Sequence, residues 1–289
     1  MNQNPYPPRR RMTRAEAHRR RNRAIRRVAG LTAAACLMVG GAAFLLSRRP
    51  APVPAADAAG APASSAAPSA GSAAVQESAE NALGLTRSEA AAMLADPFMV
   101  LVNHTNKMPD DYTFETKECG SATAVNKTLQ TAACDAFLAM QKAAAADGVT
   151  VWMQSGYRSV KYQTGLYERK TKFYQDKGYD TATAKEMAAA VVNPPGYSEH
   201  NCGLAADLNS PEHTGLDEGF ENTAAFRWLC EHAGDYGFIL RYPKGAEDIT
   251  EITYEPWHWR YVGRENAARI NASGLCFEEY VAQLKAIAG

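Results

Sequence analysis

The order of apolar and polar residues predicts short helices and strands from residue 86 onwards. Helical spacing or capping signals predict helices over 86–96, 129–146, 158–175, 183–192, 277–287 and after Asn222. Short runs rich in β-branched and aromatic residues predict strands over 98–102, 149–153, 204–208, 237–240 and 257–262. Short strands mixed with helices favour an α+β fold class.

Two Thr-x-x-Glu sequences predict where helices begin. The first consists of Thr86 and Glu89, and the second of Thr183 and Glu186. In such a capping box, the threonine hydroxyl accepts a hydrogen bond from a backbone N–H of the first turn. The glutamate side chain in turn accepts one from the backbone N–H of the threonine. We therefore expect one helix to begin after Thr86 and another after Thr183.

Residues 28–46 read VAGLTAAACLMVGGAAFLL, 19 residues without a charge. As a helix they would be about 28 Å long, close to the roughly 30 Å hydrocarbon core of a bilayer. Ten arginines lie within 1–27, whereas Arg48 and Arg49 follow the stretch. The positive-inside rule therefore predicts a cytoplasmic tail, a single transmembrane helix and an extracytoplasmic remainder at the cell membrane. A cleaved signal peptide is the alternative, although its apolar run is usually only about 7–15 residues.

The stretch over 47–85 is dominated by Ala, Pro, Ser and Gly, with few large apolar side chains. Such a composition buries too little apolar surface to offset its conformational entropy, so we expect a flexible linker. The remaining residues, 86–289, are enough for one domain with a sizeable core.

The formal net charge of zero conceals a strong segregation of charge. Residues 1–27 carry a net charge of +9, whereas 50–289 contain 19 basic and 30 acidic residues, a net charge of −11. A nucleic-acid surface needs positive charge to replace counterions, so the acidic part is a poor candidate for one. The basic tail is better explained as a topology signal beside anionic lipid. We expect a membrane partner and no nucleic acid.

Five cysteines follow the predicted span, and an extracytoplasmic compartment would permit disulfide bonds. An odd number leaves at least one thiol free or in an intermolecular bond. We expect pairs Cys119–Cys134 and Cys230–Cys276, with Cys202 left over.

Two histidines lie in segments that suit metal-dependent hydrolysis. His200 belongs to GYSEHNCGLAAD, which ends at Asp207, and His258 belongs to EPWHWRYVG, which begins at Glu255. Two imidazoles and one carboxylate are a usual protein ligand set for catalytic zinc, with the fourth position left to water. Zinc lowers the pKa of that water, and a carboxylate outside the ligand set must then move the proton.

The sequence alone leaves alternative roles open for these residues. Asp207 could instead cap a turn with Asn209, and Glu255 could pair with Arg260. His213 is the most plausible rival ligand.

Three segments in order resemble the motifs of the VanY-type D-alanyl-D-alanine carboxypeptidases. SEHNCGLAAD over 198–207 resembles S-x-H-x-x-G-x-A-x-D, and EPWHWRYVG over 255–263 resembles E-x-W-H-x-R-Y-V-G. SGYRS with a glutamine downstream, over 155–163, resembles the substrate-binding segment. The resemblance implies a hedgehog/DD-peptidase-like fold, with a small, mostly antiparallel sheet flanked by helices.

The resemblance also implies a role for each matching residue. Zn2+ would be held by His200, Asp207 and His258, and Glu255 would serve as general base and later as acid. Arg158 would recognise the terminal carboxylate or the developing oxyanion. The other implied substrate-binding residues are Ser155, Tyr157, Gln163 and Ser198. A bidentate guanidinium suits a free carboxylate, which a carboxypeptidase must recognise.

The expected function is therefore removal of terminal D-alanine from peptidoglycan stem peptides. An L,D-carboxypeptidase that acts on tetrapeptide stems is one alternative. A zinc-bearing cell-wall binding module without catalysis is another, and the presence of both Glu255 and Arg158 disfavours it.

Overall fold

The computed structural model describes residues 83–120 and 124–289. The predicted tail over 1–27, the predicted span over 28–46 and nearly all of the predicted linker over 47–85 lie outside this range. Within the described ranges, none of the helices combines the length and hydropathy needed to cross a bilayer.

The helices lie throughout the described part of the chain, and side-chain caps define several of their starts. They are α1 (Arg87–Ala95), α2 (Thr131–Ala146), α3 (Val160–Asp176), α4 (Thr181–Ala189), α5 (Ala224–His232), α6 (Glu247–Thr250), α7 (Arg264–Ser273) and α8 (Phe277–Ala288). Thr86 and Glu89 form the predicted capping box of α1. Ser159 and Thr223 cap α3 and α5 through their hydroxyl groups. Short 3-10 helices cover Pro97–Met99, Glu199–Cys202, Glu218–Asn222 and Ala233–Tyr236.

The strands form two antiparallel sheets, which confirms the α+β class. They are β1 (Thr116–Glu118), β2 (Thr128–Gln130), β3 (Trp152–Ser155), β4 (Ala205–Asn209), β5 (Phe238–Leu240) and β6 (His258–Tyr261). Strands β1 and β2 pair with each other, and the larger sheet has the order β3-β4-β6-β5. All residues of β4 and β6 are buried, so both central strands are covered on each face.

Alternation along the central strands separates an apolar face from a polar one. Leu208 of β4 and Trp259 of β6 pack into a cluster with Phe137 and Met140 of α2. Because successive strand residues point to opposite faces, Asp207 and its neighbours on β6 project away from α2. The polar face of the sheet is therefore where the candidate chemistry lies.

A second apolar cluster joins the N-terminal and C-terminal helices beside the sheet. It includes Val262 after β6 and Phe277, Tyr280 and Leu284 of α8. Leu85 is also buried in it, so the packed domain includes this residue before the expected start at 86.

The predicted strand over 98–102 is wrong. Its first part belongs to the 3-10 helix Pro97–Met99, and no ladder forms there. The Nη2 atom of Arg260 instead donates to the backbone oxygens of Phe98 and Val100, at 2.9 and 2.8 Å. The buried guanidinium of Arg260 thus binds the carbonyl groups that would otherwise pair with a neighbouring strand.

Two predicted helix caps are also wrong. Helix α4 begins at Thr181 because Asp180 accepts hydrogen bonds from the backbone N–H groups of Ala182 and Thr183. Thr223, not Asn222, caps α5 through the N–H of Phe226. In each case a neighbouring oxygen was better placed than the one that the pattern suggested.

The expected disulfide bonds are absent among the described cysteines, which are all free thiols. Cys119 and Cys134 do lie together, and their thiols share a hydrogen bond. Cys230 is exposed on α5, whereas Cys276 is buried at the start of α8.

Candidate metal centre

Strand register brings the two most distant candidate ligands together. Asp207 of β4 is the direct partner of His258 of β6 in the antiparallel ladder. On the other side of β4, Ser155 of β3 also pairs with Asp207. Opposite residues on neighbouring strands have Cβ atoms only about 4.5–5.5 Å apart. A row across three strands therefore forms one wall of the site.

His200 reaches the same place from the 3-10 helix Glu199–Cys202, which precedes β4. Gly203 ends this helix with a φ of 67°, a left-handed conformation that suits glycine. A Cβ at this position would lie 2.9 Å from the ring of Phe114. The tight turn directs the chain into β4 and leaves His200 beside Asp207.

The three side chains form a compact, buried group of possible metal ligands. The Nε2 atom of His200 lies 3.3 Å from Oδ1 of Asp207, and Nδ1 of His258 lies 3.2 Å from the same oxygen. All three ligand atoms lie within 4.8 Å of one another. Bonds of about 2.0–2.1 Å in a tetrahedron place ligand atoms about 3.3 Å apart. The donor set and its spacing therefore fit zinc, as the sequence predicts.

The turn at Gly156 fixes the orientation of His200. The Nδ1 atom of His200 donates to the backbone oxygen of Gly156 at 2.7 Å, which leaves the lone pair of Nε2 for a metal. A Cβ at Gly156 would lie 2.3 Å from the backbone oxygen of Thr128. Only glycine allows this close approach, so the turn and the imidazole orientation depend on it.

Charge around the group keeps its carboxylate ionised. Burial alone would raise the pKa of Asp207, but its contacts with His200 and Arg158 outweigh it and hold this pKa well below its ordinary value. Burial and the nearby Arg158 charge lower the pKa of His200 to about 4. An ionised carboxylate beside a neutral imidazole is the state in which both can bind a metal.

Glu255 lies beside the ligand group, but it precedes β6 and is not part of the strand ladder. Pro256 and Trp257 form a turn before β6, which brings Glu255 and His258 to the same side. The Oε2 atom of Glu255 lies 3.6 Å from Nδ1 of His258. Burial raises the pKa of Glu255 to about 8, and the Asp207 charge adds to this rise while the His258 charge opposes it. A carboxyl group tuned in this way suits proton transfer near neutral pH.

Arg158 lies at the same group and is not a surface residue. Its Nη2 atom binds Oδ2 of Asp207, and its Nε atom donates to the hydroxyl oxygen of Ser155 at 3.0 Å. Its side chain is 16% exposed, so it is still partly open to solvent. Arg158 can therefore hold Asp207 and meet a ligand at once.

The remaining predicted substrate-binding residues occupy different depths. Ser198 is buried directly before the 3-10 helix of His200. Gln163 of α3 is also buried, and its Nε2 atom donates to the backbone oxygen of Asn193 at 2.7 Å. Tyr157 is half-buried, with its ring 5.6 Å from that of Phe114. Ser198 and Gln163 are therefore buried, whereas Tyr157 is partly open to solvent.

The rival ligand and the rival ion pair that the sequence left open are both wrong. His213 bonds Asp217 at 2.9 Å and lies outside the ligand group. Arg260 contacts Glu199 and not Glu255. Cys202 is fully buried with its thiol directed at the backbone oxygen of Glu199, so it is not one of the ligands.

Sequence reasoning missed a set of charged residues beneath the ligands. We call Glu199, Arg241, Arg260 and Glu278 the buried ion cluster. Glu199 contacts both arginines, and Arg241 also binds Glu278 of α8. The one signal in the sequence was Arg260 inside a predicted strand rich in aromatic residues, because a buried charge needs a partner. Its partner is distant along the chain, and the sequence pattern alone does not identify it.

Comparison with known proteins finds similarity to D-alanyl-D-alanine carboxypeptidases. A family model described as VanY: D-alanyl-D-alanine carboxypeptidase matches residues 126–264. A D-alanyl-D-alanine carboxypeptidase of Enterococcus faecalis is 38% identical over 185 residues, which are 63% of this chain and 65% of that protein. The aligned region thus spans slightly less than two thirds of this curated relative.

Two solved structures share the arrangement of the described domain. One is a mutant of the vancomycin resistance D,D-pentapeptidase VanY from a VanB-type resistance cassette, in complex with Zn(II). It is 36% identical, has a TM-score of 0.56 and covers 64% of this chain and 99% of its own. The other is the LD-carboxypeptidase LdcB, which is 33% identical, has a TM-score of 0.56 and covers 65% of this chain and 88% of its own.

Proposed function

Because this chain belongs to the VanY-type D-alanyl-D-alanine carboxypeptidase family, we propose that it is a zinc-dependent D,D-carboxypeptidase. Its substrate would be a peptidoglycan stem peptide that ends in D-Ala-D-Ala, from which it removes the terminal D-alanine. One observation carries this proposal: the ligand atoms of His200, Asp207 and His258 converge, with Glu255 3.6 Å from one of them.

The residues of the site divide the work of hydrolysis among themselves. Zinc, when held by His200, Asp207 and His258, supplies Lewis acidity and lowers the pKa of water to about 7. Glu255 accepts the proton of the attacking water and later delivers it to the leaving amine. Glu255 is buried beside His258, so the proton that it carries would stay close to the attacking water and to the leaving amine.

Arg158 would recognise the terminal carboxylate or stabilise the oxyanion. Ser155 and Asp207 hold its Nε and Nη2 atoms, which leaves Nη1 for a ligand. A guanidinium fixed in this way costs little to orient when substrate binds. Ser198, Gln163 and Tyr157 would line the space for the terminal residues.

The decisive experiment combines metal analysis with cleavage of a defined peptide. The full-length protein, purified in detergent, is incubated with L-Ala-D-γ-Glu-L-Lys-D-Ala-D-Ala, and the products are measured by mass spectrometry. We expect loss of one alanine in the presence of Zn2+. Glu255→Gln should lower kcat by about 10²–10⁴-fold while zinc stays bound, because only proton transfer is lost.

A matched control replaces a glutamate of the same size outside the site. Glu265→Gln changes a side chain that is 79% exposed on α7, so cleavage should continue at the wild-type rate. If Glu255→Gln cleaved the peptide at the wild-type rate, Glu255 would not be the proton carrier. Absence of pentapeptide cleavage by the zinc-loaded wild type would remove the proposed D,D-carboxypeptidase activity.

The similarity to LdcB favours L,D-carboxypeptidase activity as the second candidate. In that case, the tetrapeptide L-Ala-D-γ-Glu-L-Lys-D-Ala would lose its terminal residue and the pentapeptide would not. Parallel assays with both peptides separate the two activities.

We further propose that residues 28–46 anchor the protein in the cell membrane, with the zinc domain outside. The ten arginines within 1–27 and the apolar stretch that follows them support this orientation. Protease treatment of intact spheroplasts should remove the domain and leave the tail protected. Protection of the domain would contradict this topology.

A further inference from the structure

The buried ion cluster extends from the C-terminal helix to the metal centre. Arg241 donates from Nη1 and Nη2 to the two carboxylate oxygens of Glu278, at 2.8 and 2.6 Å. The same guanidinium donates from Nε to Oε1 of Glu199 at 2.7 Å. Asn103 also donates to Glu278, at 3.0 Å. A single arginine therefore links α8 to the residue that precedes His200.

A second arginine holds the same carboxylate from β6. The Nη1 atom of Arg260 lies 2.8 Å from Oε1 of Glu199. The side chains of Glu199, Arg241 and Arg260 have no solvent exposure. The Phe277 ring lies 5.3 Å from the guanidinium carbon of each arginine. Both contacts engage Oε1 of Glu199, so its other oxygen is left over.

That other oxygen faces a candidate metal ligand. The Oε2 atom of Glu199 lies 3.5 Å from Nε2 of His258, on the side of the ring opposite the Nδ1 atom that faces Asp207. Within the described residues, neither buried atom has a hydrogen-bond partner. Two buried polar atoms, each without a hydrogen-bond partner, therefore lie 3.5 Å apart.

We propose that Glu199 is a positioning residue for the metal centre. Its Oε2 atom accepts a hydrogen bond from Nε2–H of His258 and so directs the Nδ1 lone pair toward the cation. Arg241 and Arg260 hold the carboxylate in place for this task. This inference rests on the proposed zinc-dependent function, and it concerns metal binding before any substrate is present.

Stability alone does not account for such a cluster. Replacing buried ion pairs with apolar residues of similar size is often neutral or stabilising, because removing charges from water is costly. A partner on the second nitrogen of a ligating histidine, in contrast, commonly changes metal affinity by about 10–100-fold. The contact with His258 gives this costly arrangement a function.

The test compares two identical substitutions at different places in one cluster. Glu199→Gln and Glu278→Gln each remove one carboxylate that binds Arg241, but only the first removes a contact with His258. Zinc affinity of the full-length protein is measured by competition with a chromophoric chelator, without substrate. We expect the Kd for zinc to rise about 10–100-fold for Glu199→Gln and less than about threefold for Glu278→Gln. Equal losses in both variants would show that the cluster acts through the fold and would overturn the proposal.

A measurement on the wild type covers the case in which Glu199→Gln does not fold. Nitrogen-15 NMR of histidine-labelled, zinc-loaded protein reports which ring nitrogen carries the proton. We expect the proton on Nε2 for His258 and on Nδ1 for His200. A proton on Nδ1 of His258 would overturn the proposal without any substitution.

These results are independent of peptide cleavage. If zinc binds as expected but neither stem peptide is cut, the proposed function fails while the role of Glu199 stands. If a peptide is cut and the two variants bind zinc equally, the proposed function stands and the positioning role fails.

Discussion

Asp207 uses its two oxygens for different purposes. Its Oδ1 atom faces both imidazoles, whereas its Oδ2 atom binds Arg158. The arginine lowers the pKa of this carboxyl group and also positions itself for a ligand. Substitution at Arg158 therefore tests substrate recognition only if metal content is measured as well.

At the residue scale, we predict that Arg158→Ala lowers kcat/KM by about 10²–10³-fold, as loss of an oxyanion or carboxylate partner does. The discriminating measurement uses a pentapeptide whose terminal carboxylate is replaced by a carboxamide. This change in the peptide should lower kcat/KM strongly for the wild type. It should have little effect on Arg158→Ala, because that variant already lacks the guanidinium that recognises the carboxylate. Equal sensitivity of both proteins to the carboxamide would contradict carboxylate recognition by Arg158. Arg169→Ala, at an exposed position on α3, is the control.

At the element scale, the site depends on how strands and turns meet. Register in the ladder places Asp207 opposite His258, and the turn at Gly156 supplies the carbonyl that orients His200. Neither α2 nor α5 contributes a candidate ligand, and their role is to cover the apolar face of the sheet.

We predict opposite effects for alanine at two glycines. Gly156→Ala forces a Cβ to within 2.3 Å of a backbone oxygen, so it should lower the free energy of unfolding by about 1–3 kcal/mol and reduce zinc content. Gly165 lies inside α3, where a Cβ would contact only the end of the long Arg169 side chain, at 3.2 Å. Gly165→Ala should therefore stabilise the protein by up to about 1 kcal/mol. Thermal denaturation and metal analysis check both variants. If Gly156→Ala kept the stability and zinc content of the wild type, the close approach of Gly156 to the backbone oxygen of Thr128 would be refuted.

Sequence patterns predicted the elements that depend on local signals. The box of Thr86 and Glu89 and the helical spacing that gives α2 are both confirmed. The strand expected over 98–102 is wrong because Arg260, more than 150 residues away, takes its carbonyl oxygens. The candidate ligands were predicted because each lies in a distinctive motif. The link from Glu199 to Arg241 was missed because contacts between distant charges leave no periodic pattern.

At the scale of the whole molecule, the metal joins segments that are distant in sequence. His200 precedes β4, Asp207 lies within it, and His258 begins β6. Their mutual positions are set by the sheet, but a cation bound by all three would hold these segments together in the folded state only. Metal binding and folding stability are therefore linked.

We predict that chelation of zinc abolishes peptide cleavage and lowers the melting temperature. Free zinc at 100 times its Kd stabilises a folded protein by about 2.7 kcal/mol, which corresponds to about 5–10 °C for a domain of this size. Calorimetry with and without chelator, followed by addition of Zn2+, checks this prediction. Glu255→Gln should show the same thermal shift without activity. A melting temperature that does not respond to chelation would contradict the link between metal and fold.

The place of Glu278 in the chain has a consequence for the order in which the protein is made. Every ligand, and Glu255, has been translated once residue 258 is added, but α8 begins only at Phe277. Domains are synthesised from the N-terminus, so a growing chain passes through a stage that holds all the ligands without the helix that secures Arg241. The contacts between Arg241 and α8 are therefore the last to become available, after every candidate ligand is already in the chain.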